Sequence, residues 1–430
     1  MAIALTLLLI GLALFGTPLF VIIAASALIG FYTAEIDLSV IAIEFYRLAE
    51  IPILLAIPLF TFSGYLLSES GAPQRLVRVT QSLLGWMPGG LAIVSLCACA
   101  FFTAFTGASG VTIIALGALL FPALMQAGYR ENFNLGLVTS SGSLGVLFAP
   151  SLPLILYGVI SQQLGVSEPF SIDELFLAGV IPGFIMVLIL SGWSIWQARL
   201  IPTSTYSNTE LVAALKEARW EIPLPFLVLG GIYSGYFAIS EAAAVTVVYV
   251  LIAEVFLYRD IKLNQLPKIM HDSMLLVGAI MIILGVSLAS TNYLIDAEIP
   301  MRIFESIQAH VDSPIAFLLL LNIFLLVLGT MLDIFSAIVI MVPIILPIAV
   351  QYGIHPIHLG IIFLANMQIG YFTPPVGMNL FIASHRFEKP VLQLYKATLP
   401  FFALLLFAVL IITYWPALSL TLPEAYTQKN

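Results

Sequence analysis

The sequence predicts an all-α polytopic membrane protein built as an inverted repeat, each half carrying a re-entrant helical hairpin and a broken transmembrane helix. Three observations predict it. The 430 residues are 61% hydrophobic and only 9% charged, whereas soluble domains carry about 25% charged residues. Apolar stretches able to span a bilayer, roughly 20 residues each, follow one another with short connectors. Four glycine and proline positions recur at one fixed offset in the two halves.

Composition excludes whole classes of function. A soluble enzyme of this size needs a charged surface that these residues cannot supply. The net charge of −8, with 15 Lys and Arg in no dense run, excludes nucleic acid as a partner. Mean hydropathy of +1.09 makes the lipid bilayer the solvent. Signal peptides and mitochondrial presequences need an early basic segment. The first charged residue is Glu35, so the start reads as a first membrane segment. Cys97 and Cys99 sit inside an apolar run and read as packing residues, because two thiols without nearby His or Asp make a poor metal site.

The elements follow in order. Apolar stretches cover 1–34, 51–69, 88–128, 132–161, 173–198, 222–238, 240–258, 273–291, 313–350, 355–384 and 393–418. The first contains Gly16-Thr17-Pro18, which could kink one span or divide two. Shorter amphipathic pieces lie between: in 74–86, Leu76, Val79, Leu83 and Trp86 recur at helical spacing while Arg75, Arg78, Gln81 and Ser82 lie elsewhere. With 35–50, 209–220 and 302–311 they read as helices lying in the membrane interface. Stretches 88–128 and 313–350 are too long for one simple crossing and are interrupted by TGASG (106–110) and GTMLD (329–333). Each is two spans or a re-entrant hairpin.

Charge orients them. If every other stretch from 51–69 onward crosses once, Arg75, Arg78, Arg130, Arg199, Lys216, Arg219, Arg259, Lys262, Lys268, Arg386, Lys389 and Lys396 share one side. Only Arg47, Arg302 and Lys429 fall on the other, so 12 of 15 basic residues mark the cytoplasmic face. The opposite face carries Glu35, Asp37, Glu44, Glu168, Asp173, Asp296 and Glu298. Two crossings also return to the starting side, so charge leaves the hairpins' depth open. It does make 88–128 enter from the cytoplasm and 313–350 from outside. Pro122 and Pro347, Gly128 and Gly353, Gly145 and Gly370, and Pro150 and Pro375 are each 225 residues apart. One pattern in two orientations is an inverted repeat, the arrangement in which secondary transporters bring broken helices together near the midplane.

The polar residues inside the membrane carry the chemistry. After the hairpins come the interrupted crossings TSSGSLGVLFAPSLP (139–153) and NMQIGYFTPPVG (366–377). Unpaired backbone groups in lipid cost several kcal/mol each, so such breaks are buried in protein or line a polar cavity. Freed carbonyls and hydroxyls are hard oxygen ligands for a small cation, and half-helix N-termini suit an anion. Gly and Ser also let helices pack closely, but two breaks at matching positions point to a site for sodium and an organic anion. Asp333 lies in the second turn, where it either ligates a cation or caps the following helix. Glu241 reads as a helix-start residue, Glu254 as reaching water near the cytoplasmic end, and His355 and His358 as surface residues of the outer link.

These residues resemble one family. TGASG (106–110), TSSGSLGVLFAPSLPLILYG (139–158), SEAAAV (240–245), GTMLDIFSAI (329–338) and GYFTPPVGMNLFIAS (370–384) are similar to the large (DctM-type) membrane subunit of tripartite ATP-independent periplasmic (TRAP) transporters. The likeness covers essentially the whole chain. It departs from the family where TGASG replaces a TGSS-like turn and where Ala149 replaces a second proline.

The resemblance implies a secondary symporter subunit, not an enzyme, in the bacterial inner (cytoplasmic) membrane. It implies import of a small organic acid anion driven by sodium, with no cofactor and Na+ as coupling ion. It also implies a periplasmic (DctP-type) substrate-binding protein and a small four-helix (DctQ-type) membrane subunit as partners. By that analogy an elevator-type transport domain, residues 88–161 and 313–385, moves against scaffold segments 1–87 and 162–312, with 386–430 a C-terminal helix and tail. One cation falls to Thr106, Gly107, Ser109, Ser140, Gly142 and Gly145, the other to Gly329, Asp333, Gly370 and Thr373. Ser141, Ser143, Pro150, Asn366, Pro374 and Pro375 face the substrate, and the only metal expected is sodium. The rival is a stand-alone ion or dicarboxylate transporter of similar hairpin architecture. An intramembrane enzyme would need carboxylates, His or Lys gathered at one face, and a channel would need charged rings; neither is evident.

Overall fold

The computed structural model describes residues 11–12, 16–165, 170–199 and 206–428. Its regular secondary structure among those residues is all helical, with turns and loops between the helices. Helices α1 (Leu19–Thr33) and α2 (Ser39–Ala49) lead into α3 (Ala56–Glu69) and the interfacial α4 (Ala72–Leu84). The first hairpin is α5 (Gly90–Thr106) and α6 (Ser109–Gln126), and the first broken helix is α7 (Glu131–Ser141) and α8 (Leu152–Gln163). Then come α9 (Ile172–Gln197), α10 (Asn208–Glu217), α11 (Pro223–Tyr233), α12 (Ile239–Leu251), α13 (Leu266–Asp296) and α14 (Ile299–Gln308). The second hairpin is α15 (Pro314–Met331) and α16 (Ile334–Gln351), followed by the broken pair α17 (Pro356–Gly370) and α18 (Met378–Phe387). Helices α19 (Val391–Tyr414) and α20 (Ala417–Thr427) close the fold. Whether 1–34 holds one span or two falls outside the described residues, although a helix does begin after Pro18.

The repeat read from four Gly and Pro positions extends to the element boundaries. Thr106 and Met331 end the first hairpin arms; Ser109 and Ile334 begin the second arms; Gln126 and Gln351 end them; Glu131 and Pro356 open the broken helices. Every one of these pairs is 225 residues apart. Gly128 and Gly353 both adopt positive φ, +90° and +75°, which a residue without Cβ does at no steric cost. The peptide bonds before Pro150 and Pro375 are both cis. The first broken helix bends by 40° between its halves.

Local chemistry sets several starts. Ser171 accepts a hydrogen bond from the Glu174 N–H at 3.3 Å and its own N–H donates to the Glu174 carboxylate at 2.9 Å, a capping box opening α9. Glu241 accepts from the Ala238 N–H at 2.9 Å, so it does serve the start of α12. Pro122, Pro182, Pro343, Pro347 and Pro400 sit inside helices, which buried membrane helices tolerate because neighbours re-satisfy the freed groups.

The helices sort into two packed groups. In one, α3 packs on α12 and α13, and α13 packs on α1 and α2. In the other, α5, the 3₁₀ turn Leu144–Leu147, α9, α17 and α19 form one body with the hairpins. The arm α4 joins α5, and α14 joins α16. A continuous apolar core runs through both groups.

Three expectations are corrected here. Arg75, expected on the polar face of an interfacial helix, is buried between the Glu221 carboxylate, Glu254 at 2.9 Å and Asp260 at 2.6 Å. Its guanidinium also lies 3.8 Å from the Tyr258 ring centroid. Burial works against the Arg75 charge, but the carboxylates more than offset it and hold its pKa above the usual arginine value. Glu254, expected to reach water, is 0% exposed because this arginine meets it inside the protein. His358, expected at the surface, is 2% exposed, 2.6 Å from Ser419 Oγ and 3.2 Å from the Thr413 carbonyl, because α20 folds back over it.

Candidate functional site

Each hairpin tip meets the break of its own repeat at backbone distance. At Gly370, a Cβ would lie 2.5 Å from Gly329 Cα, so α15 and α17 touch main chain to main chain. At Gly145 a Cβ would strike the Ala100 carbonyl and lie 2.5 Å from the Ala104 N. Ala104 and Gly329 are again 225 residues apart, as are Gly145 and Gly370, so the two contacts are the same contact in the two repeats. The Thr103 hydroxyl donates to the Gly142 carbonyl at 2.8 Å and lies 2.6 Å from Thr112 Oγ1, tying tip 1 to break 1. The Gly377 N–H donates to the Thr330 carbonyl at 3.0 Å, tying tip 2 to break 2.

The ends of half-helices decide what such junctions attract. In repeat 1 the C-terminal ends of α5 and α7 come together, and in repeat 2 those of α15 and α17. Helix C-termini carry partial negative charge on free carbonyls. The N-termini of α6, α8, α16 and α18 lie in the same region, the first N–H groups of α16 being already taken by Asp333 and the Tyr371 hydroxyl. Free carbonyls of this kind can ligate a cation, and an uncapped helix start can donate to an anion.

Tip 2 uses its carboxylate as a cap. Asp333 Oδ1 accepts from the N–H groups of Phe335 and Ser336, both at 3.0 Å, and Oδ2 accepts from the Ser336 hydroxyl at 2.5 Å. Tyr371 at break 2 accepts the Ile334 N–H on its hydroxyl at 2.6 Å. Of the two roles open to Asp333, capping is visible, and it fixes the carboxylate at the tip.

The two repeats are also joined to each other. The Ser143 hydroxyl donates to the Gln368 carbonyl at 3.0 Å, and these two positions are themselves 225 residues apart. The pseudo-two-fold axis therefore passes between them. The Ser109 hydroxyl donates to Asn379 Oδ1 at 2.7 Å, carrying α18 onto the first tip. Gly64 on α3 presses on that tip, where a Cβ would lie 2.6 Å from Thr106 Cα.

The residues singled out from sequence are not all used alike. Thr106, Gly107 and Ser109 form tip 1, and a Cβ at Gly142 would lie 3.3 Å from the Ser109 carbonyl. Gly107 takes φ +65° and has no room beside Leu152. The Ser140 hydroxyl turns back to the Gly136 carbonyl at 2.8 Å and Ser141 to that of Val138 at 3.3 Å, so both are engaged by their own helix. Thr373 likewise donates to the Ile369 carbonyl at 2.8 Å. Pro150 is buried, whereas Pro374 and Pro375 are exposed. Asn366 lies one turn before Gly370 and donates to Asn322 Oδ1 at 2.6 Å, an oxygen that also accepts from Thr413 at 3.2 Å.

Sequence reasoning missed Thr103, Thr112, Gln368 and Asn379. Asn379 stands inside the motif at 370–384 yet its partner is 270 residues away, so spacing could not single it out. Several buried polar atoms at the junctions lack any partner: Thr106 Oγ1, Thr139 Oγ1, Ser151 Oγ, Asn366 Oδ1, Gln368 Oε1 and Asn379 Nδ2. Buried polar groups are ordinarily hydrogen-bonded, so these unsatisfied atoms make the junctions a candidate place for a polar ligand.

Comparison with known proteins identifies the family. The chain is 37% identical, over 89% of its own length and 89% of the relative's, to the C4-dicarboxylate TRAP transporter large permease protein DctM of Pseudomonas aeruginosa. It is 34% identical over 96% of its length to the isethionate TRAP transporter permease protein DctMQ of Oleidesulfovibrio alaskensis, of which it covers 62%. The YdaH transporter of Alcanivorax borkumensis, described as having an unusual topology, matches in fold with a TM-score of 0.65 over 88% of this chain and 87% of that one, at 13% identity. The family model "Tripartite ATP-independent periplasmic transporter, DctM component" matches residues 5–418. On that match, over nearly its whole length, the chain belongs to the DctM family of large membrane components of TRAP transporters.

Proposed function

We propose that the chain is the membrane-spanning pathway of a sodium-coupled importer for a small organic anion. It works with a periplasmic substrate-binding protein and a small four-helix membrane subunit in the bacterial inner membrane. The observation that carries this reading is the repeated tip–break contact, Gly145 against Ala100 and Ala104 and Gly370 against Gly329. A pair of such junctions, one per repeat, provides two symmetric cation sites with anion-binding helix N-termini between them. Thr106, Gly107, Ser109, Ser140, Gly142 and Gly145 form one cation site, mainly through carbonyls where hydroxyls are already engaged. Gly329, Asp333, Gly370 and Thr373 form the other.

Substrate lies between the breaks, against Ser141, Ser143, Pro150, Asn366, Pro374 and Pro375, with Asn379 added because its unpartnered amide sits beside Ser109. The relatives named for C4-dicarboxylate and for isethionate support an organic anion. The relative named DctMQ, longer than this chain, supports a closely associated small subunit. Dependence on a binding protein is the reading preferred over a stand-alone transporter.

The mobile unit in this reading is larger than the two hairpin segments. Helix α9, placed by its chain position among the scaffold segments, packs on α5, the first break, α17 and α19. It therefore travels with the hairpins, and so does α19. Helices α1–α3 and α10–α13 stay fixed, with α4 and α14 as connecting arms. Proteoliposomes containing the chain, its small subunit and its binding protein are expected to take up substrate only with sodium outside. Uptake unchanged in potassium overturns the coupling; uptake by the chain alone overturns the dependence on partners.

A further inference from the structure

We propose that a crevice at the basic end of the molecule binds the phosphodiester headgroup of an anionic phospholipid. The crevice, about 390 Å³, is lined by the N-terminus of α7, the C-terminal turn of α9 and the first turns of α19. Arg130 and Lys396 reach it from different helices. Its one carboxylate, Glu131, is already paired with Lys389. The Arg130 and Lys396 cations have no ion-pair partner among the described residues, so the crevice carries uncompensated positive charge. Helix α7 begins there with no side-chain cap, adding open N–H groups and the positive end of its dipole. Trp193 lines the same crevice, and its indole N–H has no hydrogen-bond partner.

The surroundings point to a lipid as the source of that anion. Trp193 packs 4.8 Å from Trp196, which is exposed, and tryptophans gather where hydrocarbon gives way to headgroups. From this point Leu188 and Phe184 continue an exposed apolar stripe along α9, and Leu399 and Phe407 another along α19. Two acyl chains can lie along these stripes while the phosphate meets Arg130, Lys396 and the start of α7. The crevice stands apart from the hairpin tips and breaks, so this inference does not depend on which substrate the protein carries.

Tryptophan quenching tests it. A reporter chain keeps Trp193 and Trp196 and has Trp86, Trp220 and Trp415 replaced by phenylalanine. Brominated phosphatidylglycerol and brominated phosphatidylcholine are titrated into the detergent-purified protein. Two basic residues favour the anionic lipid by about 5-fold each, about 25-fold together. Arg130→Gln with Lys396→Gln is expected to erase that preference, and Arg130→Lys to keep most of it. Equal quenching by the two lipids overturns the proposal. So does loss of the preference on adding inorganic phosphate at constant ionic strength, which assigns the crevice to a free anion. Retention of the preference in the folded double glutamine variant also overturns it.

Discussion

Replacing Gly370 by alanine probes the second cation site without touching a polar atom. The new Cβ would lie 2.5 Å from Gly329 Cα and 2.6 Å from its carbonyl carbon, where ordinary contact begins at 3.4 Å. The obstacle is backbone on both sides, so no side-chain rotation relieves it. The tip of the second hairpin must retreat from the break by about 1 Å, an overpacking cost of about 1–3 kcal/mol. A displacement of that size separates the Gly329 and Asp333 end from the Gly370–Thr373 end of a site whose ligands must converge on one ion. The assay is initial uptake rate in proteoliposomes against sodium concentration. Gly370→Ala is expected to raise the half-saturating sodium concentration at least tenfold, the equivalent of about 1.4 kcal/mol, while the protein still folds. A sodium dependence like that of the unmodified protein refutes the reasoning, because it means either that the contact does not form or that no cation sits there.

Other outcomes follow from the same geometry. Asp333→Ser keeps an oxygen able to cap α16 but removes the carboxylate; uptake should fall and its sodium dependence reduce to that of the remaining first site, and wild-type uptake would leave Asp333 only its capping role. Arg75→Met strands Glu254 and Glu221, 0% and 3% exposed, beside Asp260. Breaking such a buried pair costs about 3–5 kcal/mol, read as a large loss of thermal stability in detergent. Adding Glu254→Gln should restore part of it, and a fully stable Arg75→Met protein would contradict the buried network. Asn379→Leu removes the acceptor of the Ser109 hydroxyl at 2.7 Å and the unpartnered amide beside it. Substrate affinity should fall by about tenfold or more, since a lost buried hydrogen bond costs about 1–3 kcal/mol; unchanged affinity would place substrate elsewhere.

Much of the architecture was legible in the sequence because membrane folding leaves few choices. Gly128, Gly145 and Pro150 and their partners 225 positions later mark where helices end, turn or come close, Pro122 and Pro347 sit at matching places inside α6 and α16, and the element boundaries obey the same offset. The tips and breaks stood out because Ser, Thr and Asp side chains, and backbone freed at Gly and Pro, are costly in hydrocarbon unless something holds them. What could not be read are contacts between distant segments. Arg75 meets Glu254 across 179 residues, and His358 meets Ser419 across 61. Hydropathy assigned each of these charges and rings to water because pairing partners have no local signature. The direction of hydroxyls was equally hidden: Ser140 and Ser141 turn to their own helix, while Ser143 crosses to the other repeat. The packing of α9 on α5, α17 and α19 is likewise a long-range property that no periodicity within α9 reveals.

The central claim is that the two tip–break junctions bind sodium. Equilibrium binding of radioactive sodium to the purified chain tests it most directly, because it needs neither substrate nor partners. The account predicts saturable binding that falls with Gly370→Ala and with Asp333→Ser, leaving the contribution of the first junction, and that disappears when Gly145→Ala is added. No saturable binding, or binding indifferent to all three substitutions in folded protein, would contradict it.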